Sequence, residues 1–128
     1  MTRAELSEGL AAAARVRRSE LIALADDVAE RNDVDILEGP TPGSVMMELQ
    51  ASVGTFCLSE VVVTTARIRI ARTEGFGAVL GWDAEGALAG ALCDAAGGGR
   101  AEMLARNALA DEAEHRTARM RAVAATKV

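Results

Sequence analysis

The sequence is poor in the residues from which enzymes most often build reactive sites. Its 128 residues include one histidine, two cysteines, three aromatic residues and no tyrosine. His115 stands between Glu114 and Arg116, which predicts a solvated helix surface and not a Ser-His-Asp or Cys-His site. Cys57 and Cys93 lack the CxxC spacing, so we interpret them as two buried thiols. These residues cannot complete a zinc site, and we predict no catalytic residue, no metal and no cofactor bound by this chain.

Long apolar runs and basic clusters are also missing. Fourteen basic and 19 acidic residues give a net charge of −5, and no basic stripe with interleaved aromatics offers a nucleic-acid surface. No stretch approaches the ~20 apolar residues of a membrane helix, and the first residues show no signal-peptide pattern. We therefore expect a cytoplasmic protein without nucleic-acid or membrane partners. The hydrophobic half of the sequence is largely Ala and Val, whose small side chains stabilise a core only modestly.

The length is that of one domain, and the order of periodic segments predicts an α+β fold. We expect a small antiparallel β-meander of three or four strands, flanked by N-terminal helices and by a C-terminal helical pair with an extended arm. The predicted single domain over 1–128 comprises a helical N-terminus (1–31), an antiparallel sheet (34–82), a helix (84–96) and a C-terminal helical arm (100–127).

Helix boundaries follow from caps and glycines. Ser19 is a predicted N-cap for the second helix, whose apolar stripe includes Leu21, Leu24, Ala25 and Val28. Gly97-Gly98-Gly99 is predicted to end the helix over 84–96 as a linker, an interpretation preferred to a phosphate-binding loop. The polar segment 111–119, with an expected ion pair between Glu112 and Arg116, predicts a solvated arm.

Strand boundaries follow from alternation and from turn residues. Two prolines in 39–43 favour a rigid turn, because proline is excluded from central strands. The other expectations are a short strand at 34–37, a half-buried strand at 44–51, a turn at Gly54, a β-branched strand at 61–70, a hairpin connection at 73–75 and a returning strand at 76–82.

Three acidic residues are candidates for special roles. Asp83 is best interpreted as the N-cap of the helix over 84–96, with a ligand role as the alternative. Glu60 either satisfies backbone donors at a bend before Val61 or acts functionally. Asp94 lies among Ala and Leu, so we expect it to pair with a nearby arginine.

The middle of the chain carries an ordered set of short motifs. They are Pro42-Gly43-x-Val45-Met46, Gly54-Thr55-Phe56-Cys57-Leu58-Ser59-Glu60, Val63-Thr64-x-Ala66-x-Ile68, Gly75-Phe76-Gly77, Gly81-Trp82-Asp83 and Ala91-Leu92-x-Asp94-Ala95. In order and spacing they resemble the PhnG family of the bacterial carbon-phosphorus lyase system, over roughly residues 19 to 128. The family-motif positions are Gly54, Phe56, Leu58, Glu60, Thr64, Gly81, Asp83 and Asp94.

Two departures from the family pattern bear on function. The family has Asn-Leu-Gly-Glu where this chain has Cys57-Leu58-Ser59-Glu60, and Gly-Arg-Asp where it has Gly81-Trp82-Asp83. The second change removes an arginine on which an anion site at this corner would depend.

The resemblance implies a role in phosphonate use. In that system a phosphonate displaces adenine from ribose C1 of ATP, which gives alpha-D-ribose 1-methylphosphonate 5-triphosphate when the phosphonate is methylphosphonate. ATP and the phosphonate are substrates of the complex, and the implied partners are PhnI-, PhnH- and PhnJ-like subunits and an ABC-type ATPase-like protein. Chemistry is ascribed to the PhnI-like subunit, so this chain is expected to be an accessory subunit of a transferase complex.

Two other functions remain open at this point. The first is a small homodimeric ligand-binding or regulatory module without catalytic activity, with the sheet as the dimer surface. The second is an independent hydrolase that uses Glu60 and Asp83 as an acid-base pair across one cleft.

Overall fold

The computed structural model describes residues 1–50 and 56–125, and describes side chains over 1–46 and 60–118. In chain order the elements are α1 (Arg3–Val16), α2 (Arg18–Arg31), β1 (Val34–Gln50), β2 (Phe56–Ile70), β3 (Thr73–Leu80), α3 (Ala84–Ala96) and α4 (Gly98–Ala125). The predicted α+β architecture, with N-terminal helices, an antiparallel sheet and a C-terminal helical pair, is confirmed. Within the described residues the sheet has three strands.

The two N-terminal helices are separated by a single residue. Thr2 caps α1 by accepting from the amide of Glu5, whereas α2 has no side-chain cap. The prediction that Ser19 caps α2 is wrong, because the helix already begins at Arg18 after the non-helical Arg17. The predicted apolar stripe of α2 is confirmed, since the four residues that face the core are Leu21, Leu24, Ala25 and Val28.

The sheet is an antiparallel meander in the order β1-β2-β3, so β2 is central and β1 is an edge strand. The prediction of a rigid turn at 39–43 is wrong, because β1 runs without interruption through Pro40 and Pro42. Its pairing with β2 shifts register between Ile36 and Thr41. An edge strand tolerates proline because only one side of its backbone needs partners, and irregular pairing absorbs the rest.

The connection between β2 and β3 lies two residues earlier than predicted. It consists of Ala71 and Arg72, with Ala71 at φ 54°, and β3 begins at Thr73. The glycine that suggested a turn at 73–75 has another purpose. A Cβ on Gly75 would collide with the carbonyl oxygen of Ala91 in α3, so this glycine allows close contact between helix and strand.

The helices cover one face of the sheet. Helix α3 packs on β3 and β2, α1 and α2 pack on α3, and α4 packs along α1. Alternate residues of β2, Thr64, Ala66 and Ile68, are buried beneath this layer. More than half of the buried apolar residues in the described part of the chain are alanines. The core is therefore thin, and its elements pack closely without large side chains.

The C-terminal helix begins earlier than expected. Gly97, with φ 59° and ψ −150°, separates α3 from α4, which starts at Gly98. The prediction that all three glycines form a linker is therefore wrong. The solvated character of the arm is confirmed where it is described, since residues 113–118 are exposed. Within the described residues, no helix combines the length and the apolar character needed to cross a membrane.

Ion pairs fasten the start of the polar segment of α4 to the N-terminal helices. Asp111 accepts from Arg17 at 2.6 Å, and Glu112 pairs with Arg15. The expected pair between Glu112 and Arg116 is replaced by this contact between helices. The Arg17 guanidinium holds the pKa of Asp111 below its usual value.

Candidate functional site

Three of the family-motif positions meet at the corner where β3 leads into α3. The buried hydroxyl of Thr64 donates to the carbonyl oxygen of Gly81 at 2.6 Å and accepts from the amide of Asp83 at 3.0 Å. The amide of Gly81 donates to the carbonyl oxygen of Val62 at 2.7 Å, and Gly81 has a φ of 86°, which favours glycine. One hydroxyl thus fixes the path of the chain from strand to helix.

The Asp83 carboxylate is fully engaged at this corner. One oxygen accepts from the amide of Gly86 at 2.9 Å and so caps α3, as predicted. The guanidinium of Arg18, at the first turn of α2, donates to both oxygens at 2.6 and 2.7 Å. The Arg18 hydrogen bonds, together with that from Gly86, lower the pKa of Asp83 below its usual value although burial opposes them. A carboxylate held in its ionised form in this way is a structural anchor and a poor general acid.

The arginine that reaches this corner, Arg18, is already engaged by a carboxylate. Trp82 occupies the position between Gly81 and Asp83 and is 78% exposed. Both terminal nitrogens of Arg18 point at Asp83, so its charge is already compensated.

Glu60 lies away from this corner. It sits within the continuous strand β2, opposite Met46, so the bend predicted before Val61 is absent. Four residues of strand separate Glu60 from Thr64, which corresponds to about 13 Å at ~3.3 Å per residue. The Glu60 side chain is exposed, whereas the backbone amide of Asp83 donates a hydrogen bond to the hydroxyl of Thr64. Strand register thus separates Glu60 from the corner that holds Asp83, which argues against an acid-base pair of these two carboxylates.

Asp94 is the second anchored carboxylate. Its side chain is 2% exposed, and its Oδ2 accepts from the amide of Phe76 at 2.9 Å and from Arg3 at 3.0 Å. Arg3 also donates to the carbonyl oxygen of Glu74 at 2.7 Å. The predicted pairing of Asp94 with an arginine is confirmed. These contacts join α1, β3 and α3 and compensate much of the cost of burying a charge.

The remaining candidates carry no reactive arrangement. Cys93 is buried and free, and burial raises the pKa of its thiol to about 12, so it is not a nucleophile near neutral pH. His115 is exposed on α4, as predicted. Arg100, which follows the glycines, donates a hydrogen bond to the carboxylate of Asp27 at 3.1 Å, so its charge is already paired. The described part of the chain contains no cluster of three or more residues that would hold a metal.

For some of the predicted positions the structure describes the backbone and not the side chain. Phe56 and Leu58 lie in β2, and Cys57 lies opposite Leu49, but these three side chains are outside those described. Gly54, with its predicted turn, falls outside the described residues.

Sequence reasoning missed the two arginines that hold the anchors, Arg3 and Arg18. Each occupies the first position of a helix, where the helix dipole disfavours a positive charge. Because Ser19 was predicted to cap the second helix, this signal for Arg18 becomes visible only with the observed start of α2.

The surface with the clearest functional character is apolar and belongs to the sheet. On the face turned away from the helices, Phe76 is 44% and Leu80 is 50% exposed, and Leu80 lies opposite Val63. On the edge strand β1, Val45 is 47% exposed and lies on this same face by its register with Val61, so the prediction of a half-buried strand is wrong at this residue. Met46 is 62% exposed on the opposite face, because successive strand residues alternate. Exposed large apolar side chains on one face of a sheet make that face a candidate for contact with another molecule.

Comparison with known proteins supports one family. The family model described as "Phosphonate metabolism protein PhnG" matches residues 2–128, which is nearly the whole chain. A search of the curated proteins gives no match.

Proposed function

The chain belongs to the PhnG family of phosphonate metabolism proteins, and on that premise we propose that it is an accessory subunit of a cytoplasmic carbon-phosphorus lyase core complex. The complex breaks the bond between adenine and ribose C1 of ATP and forms a bond from C1 to a phosphonate oxygen. With methylphosphonate the product is alpha-D-ribose 1-methylphosphonate 5-triphosphate. In this proposal a PhnI-like subunit supplies the reactive groups, and PhnH- and PhnJ-like subunits and an ABC-type ATPase-like protein complete the assembly.

The observation that carries the proposal is the contrast between anchored polar groups and bare apolar surface. Asp83 and Asp94 each have an arginine and a backbone amide as partners, so their charges maintain the fold. Phe76, Leu80 and Trp82, by comparison, expose between 44% and 78% of their surface. Large side chains at such positions stabilise a chain only when another molecule covers them.

The thin core supports the same conclusion. Alanines dominate the buried apolar residues in the described part of the chain, and each contributes little transfer free energy. Burying an exposed Phe or Leu side chain in an interface contributes about 1.5 to 3 kcal/mol, which is large beside a typical stability of about 5 to 15 kcal/mol. Association with partner subunits therefore stabilises this chain appreciably.

The test combines assembly with turnover. The chain is expressed alone and together with PhnI-, PhnH- and PhnJ-like subunits, and adenine release from ATP and methylphosphonate is measured by chromatography. We expect a stable complex, no adenine release by the isolated chain and release by the complex. Release by the isolated chain overturns the assignment of chemistry to a partner, and a failure to assemble overturns the assignment as a subunit.

The homodimeric module is distinguished by the same preparations. A lone homodimer that carries a bound metabolite and ignores the other subunits would establish that function instead. A complex with the PhnI-like subunit excludes it as the main role.

A further inference from the structure

Beyond the third strand, the sheet continues as a two-stranded ribbon. Pairing of β2 with β3 ends where Val63 meets Leu80, but pairing of β1 with β2 continues to Gln50 and Phe56. We define the ribbon as residues 45–50 of β1 and 56–61 of β2. Two strands without a third strand or a covering helix are at best marginally stable in water. Among the described strands only β1 pairs with this part of β2, so an external contact would stabilise the ribbon.

At its base, the ribbon exposes side chains of β1 on both faces. Every residue from Thr41 to Met46 is exposed, and successive side chains of a strand point to opposite faces. Val45 is 47% exposed on one face and Met46 is 62% exposed on the other. Glu60, directly opposite Met46, is exposed as well.

This exposure restricts the shape of the partner surface that can cover the ribbon. A flat surface covers one face and leaves Val45 or Met46 in water. A second copy that pairs along the free edge of β1 extends the sheet and leaves both faces uncovered. A cleft with two apolar walls covers both.

The charge of this part of the chain restricts the chemistry of the cleft. Residues 39–66 contain two acidic residues, Glu48 and Glu60, and no lysine or arginine. Glu60 has no ion-pair partner among the described residues. A cleft that takes up the ribbon must therefore present a basic residue to Glu60, since a carboxylate buried without a partner is strongly destabilising.

From these observations we infer that the ribbon inserts between two apolar walls of a cleft in a partner subunit, and that a lysine or arginine of that cleft pairs with Glu60. The inference rests on the proposed function, because it takes the partner to be a subunit of the same complex.

The experiment uses the full chain and the co-purified PhnI-, PhnH- and PhnJ-like subunits. Val45→Lys and Met46→Lys each place a charge on one face of the ribbon. Met103→Lys is the matched control, because Met103 is 66% exposed on α4, far along the chain from the ribbon. Affinity is measured by titrating each chain onto the immobilised partner subunits, and thermal unfolding of each isolated chain checks folding.

We expect Val45→Lys and Met46→Lys each to weaken binding by at least about 30-fold, the loss that marks a hot-spot residue of an interface. Met103→Lys should change binding by less than about three-fold, and the melting temperatures of all three isolated chains should match the original. Glu60→Lys should weaken binding by at least about ten-fold, and Glu60→Gln by less.

Each contrary result has a distinct meaning. If the original chain does not bind the other subunits, the proposed function fails. If it binds and both ribbon variants bind equally well, the insertion is refuted and the proposed function stands. Loss with only one of the two variants shows a flat contact and also refutes the cleft. A homodimer of the isolated chain that either ribbon variant dissociates shows that a second copy is the occupant.

Discussion

Replacement of Asp83 by alanine removes two contacts whose contributions can be separated. The first is the cap on the Gly86 amide, which contributes about 1 kcal/mol to the free energy of unfolding. The second is the ion pair with Arg18, whose guanidinium is 42% exposed, so we assign it only about 0.5 to 1 kcal/mol. The expected loss is about 1.5 to 2 kcal/mol, or a fall in melting temperature of roughly 6 °C for a chain of this size.

Two further variants divide this loss between its causes. Asp83→Asn keeps a good capping side chain and removes the charge, so it should lose only the ion-pair share. Glu85→Gln removes a carboxylate that lies 3.7 Å from the same Arg18 but is 67% exposed, and it should cost less than about 0.3 kcal/mol. Denaturant unfolding of the isolated chains measures all three values. The reasoning is refuted if alanine costs no more than asparagine, or if asparagine costs no more than Glu85→Gln.

Three other predictions follow from the same structure. Arg18 and Gly86 depress the folded pKa of Asp83, so the stabilising effect of its charge is complete above the unfolded value of about 3.9 and is lost as the pH falls through the lower folded value. The unfolding free energies of the original chain and of Asp83→Asn should therefore converge in acid. A constant difference down to the lowest pH contradicts this. Gly77→Ala places a Cβ against the carbonyl oxygen of Ala87 and should lower the free energy of unfolding in urea by at least about 2 kcal/mol. The control Gly99→Ala meets nothing within 4 Å and should be neutral or stabilising. Equal effects of the two changes would be incompatible with close packing of α3 on β3. The Cys93 thiol should resist alkylation by iodoacetamide at pH 8 until the chain unfolds, as measured by mass spectrometry of the peptide that contains it, and rapid modification of the folded chain would show that the thiol is not buried.

Local patterns were sufficient for the parts of the fold that depend on one element and its immediate neighbours. The apolar stripe of α2, the β-branched run in β2 and the cap at Asp83 each reflect spacing within a few residues, and the structure confirms them. The pairing of Asp94 with an arginine was also predictable, because a buried carboxylate requires a partner.

The errors concern residues whose role depends on distant parts of the chain. Proline at 40 and 42 suggested a turn, but the position of β1 at the sheet edge makes proline acceptable there. Gly75 suggested a hairpin turn, but the close approach of α3 explains it. Glu112 has a helical neighbour at the right spacing, yet Arg15 of α1 lies within reach and forms the pair instead.

The candidate site was harder to predict than the fold. The sequence indicated that reactive residues are scarce, but it did not show that Thr64, Gly81 and Asp83 form one hydrogen-bonded corner. Nor did it show that Glu60 lies well away from them on β2, because separation in space depends on strand register. The exposure of both faces around Val45 and Met46 likewise required the extent of each strand.

The central claim is that this chain supplies contact surface for partner subunits and no reactive group. Its most direct test is the rate of adenine release by a complex that contains this chain with Glu60→Gln, Asp83→Asn and His115→Ala combined, measured at saturating ATP and methylphosphonate after confirming that the complex assembles. The account predicts a rate within about three-fold of the original complex. A fall of about 100-fold or more in an intact complex, which is the size of a lost general acid or base, would contradict it.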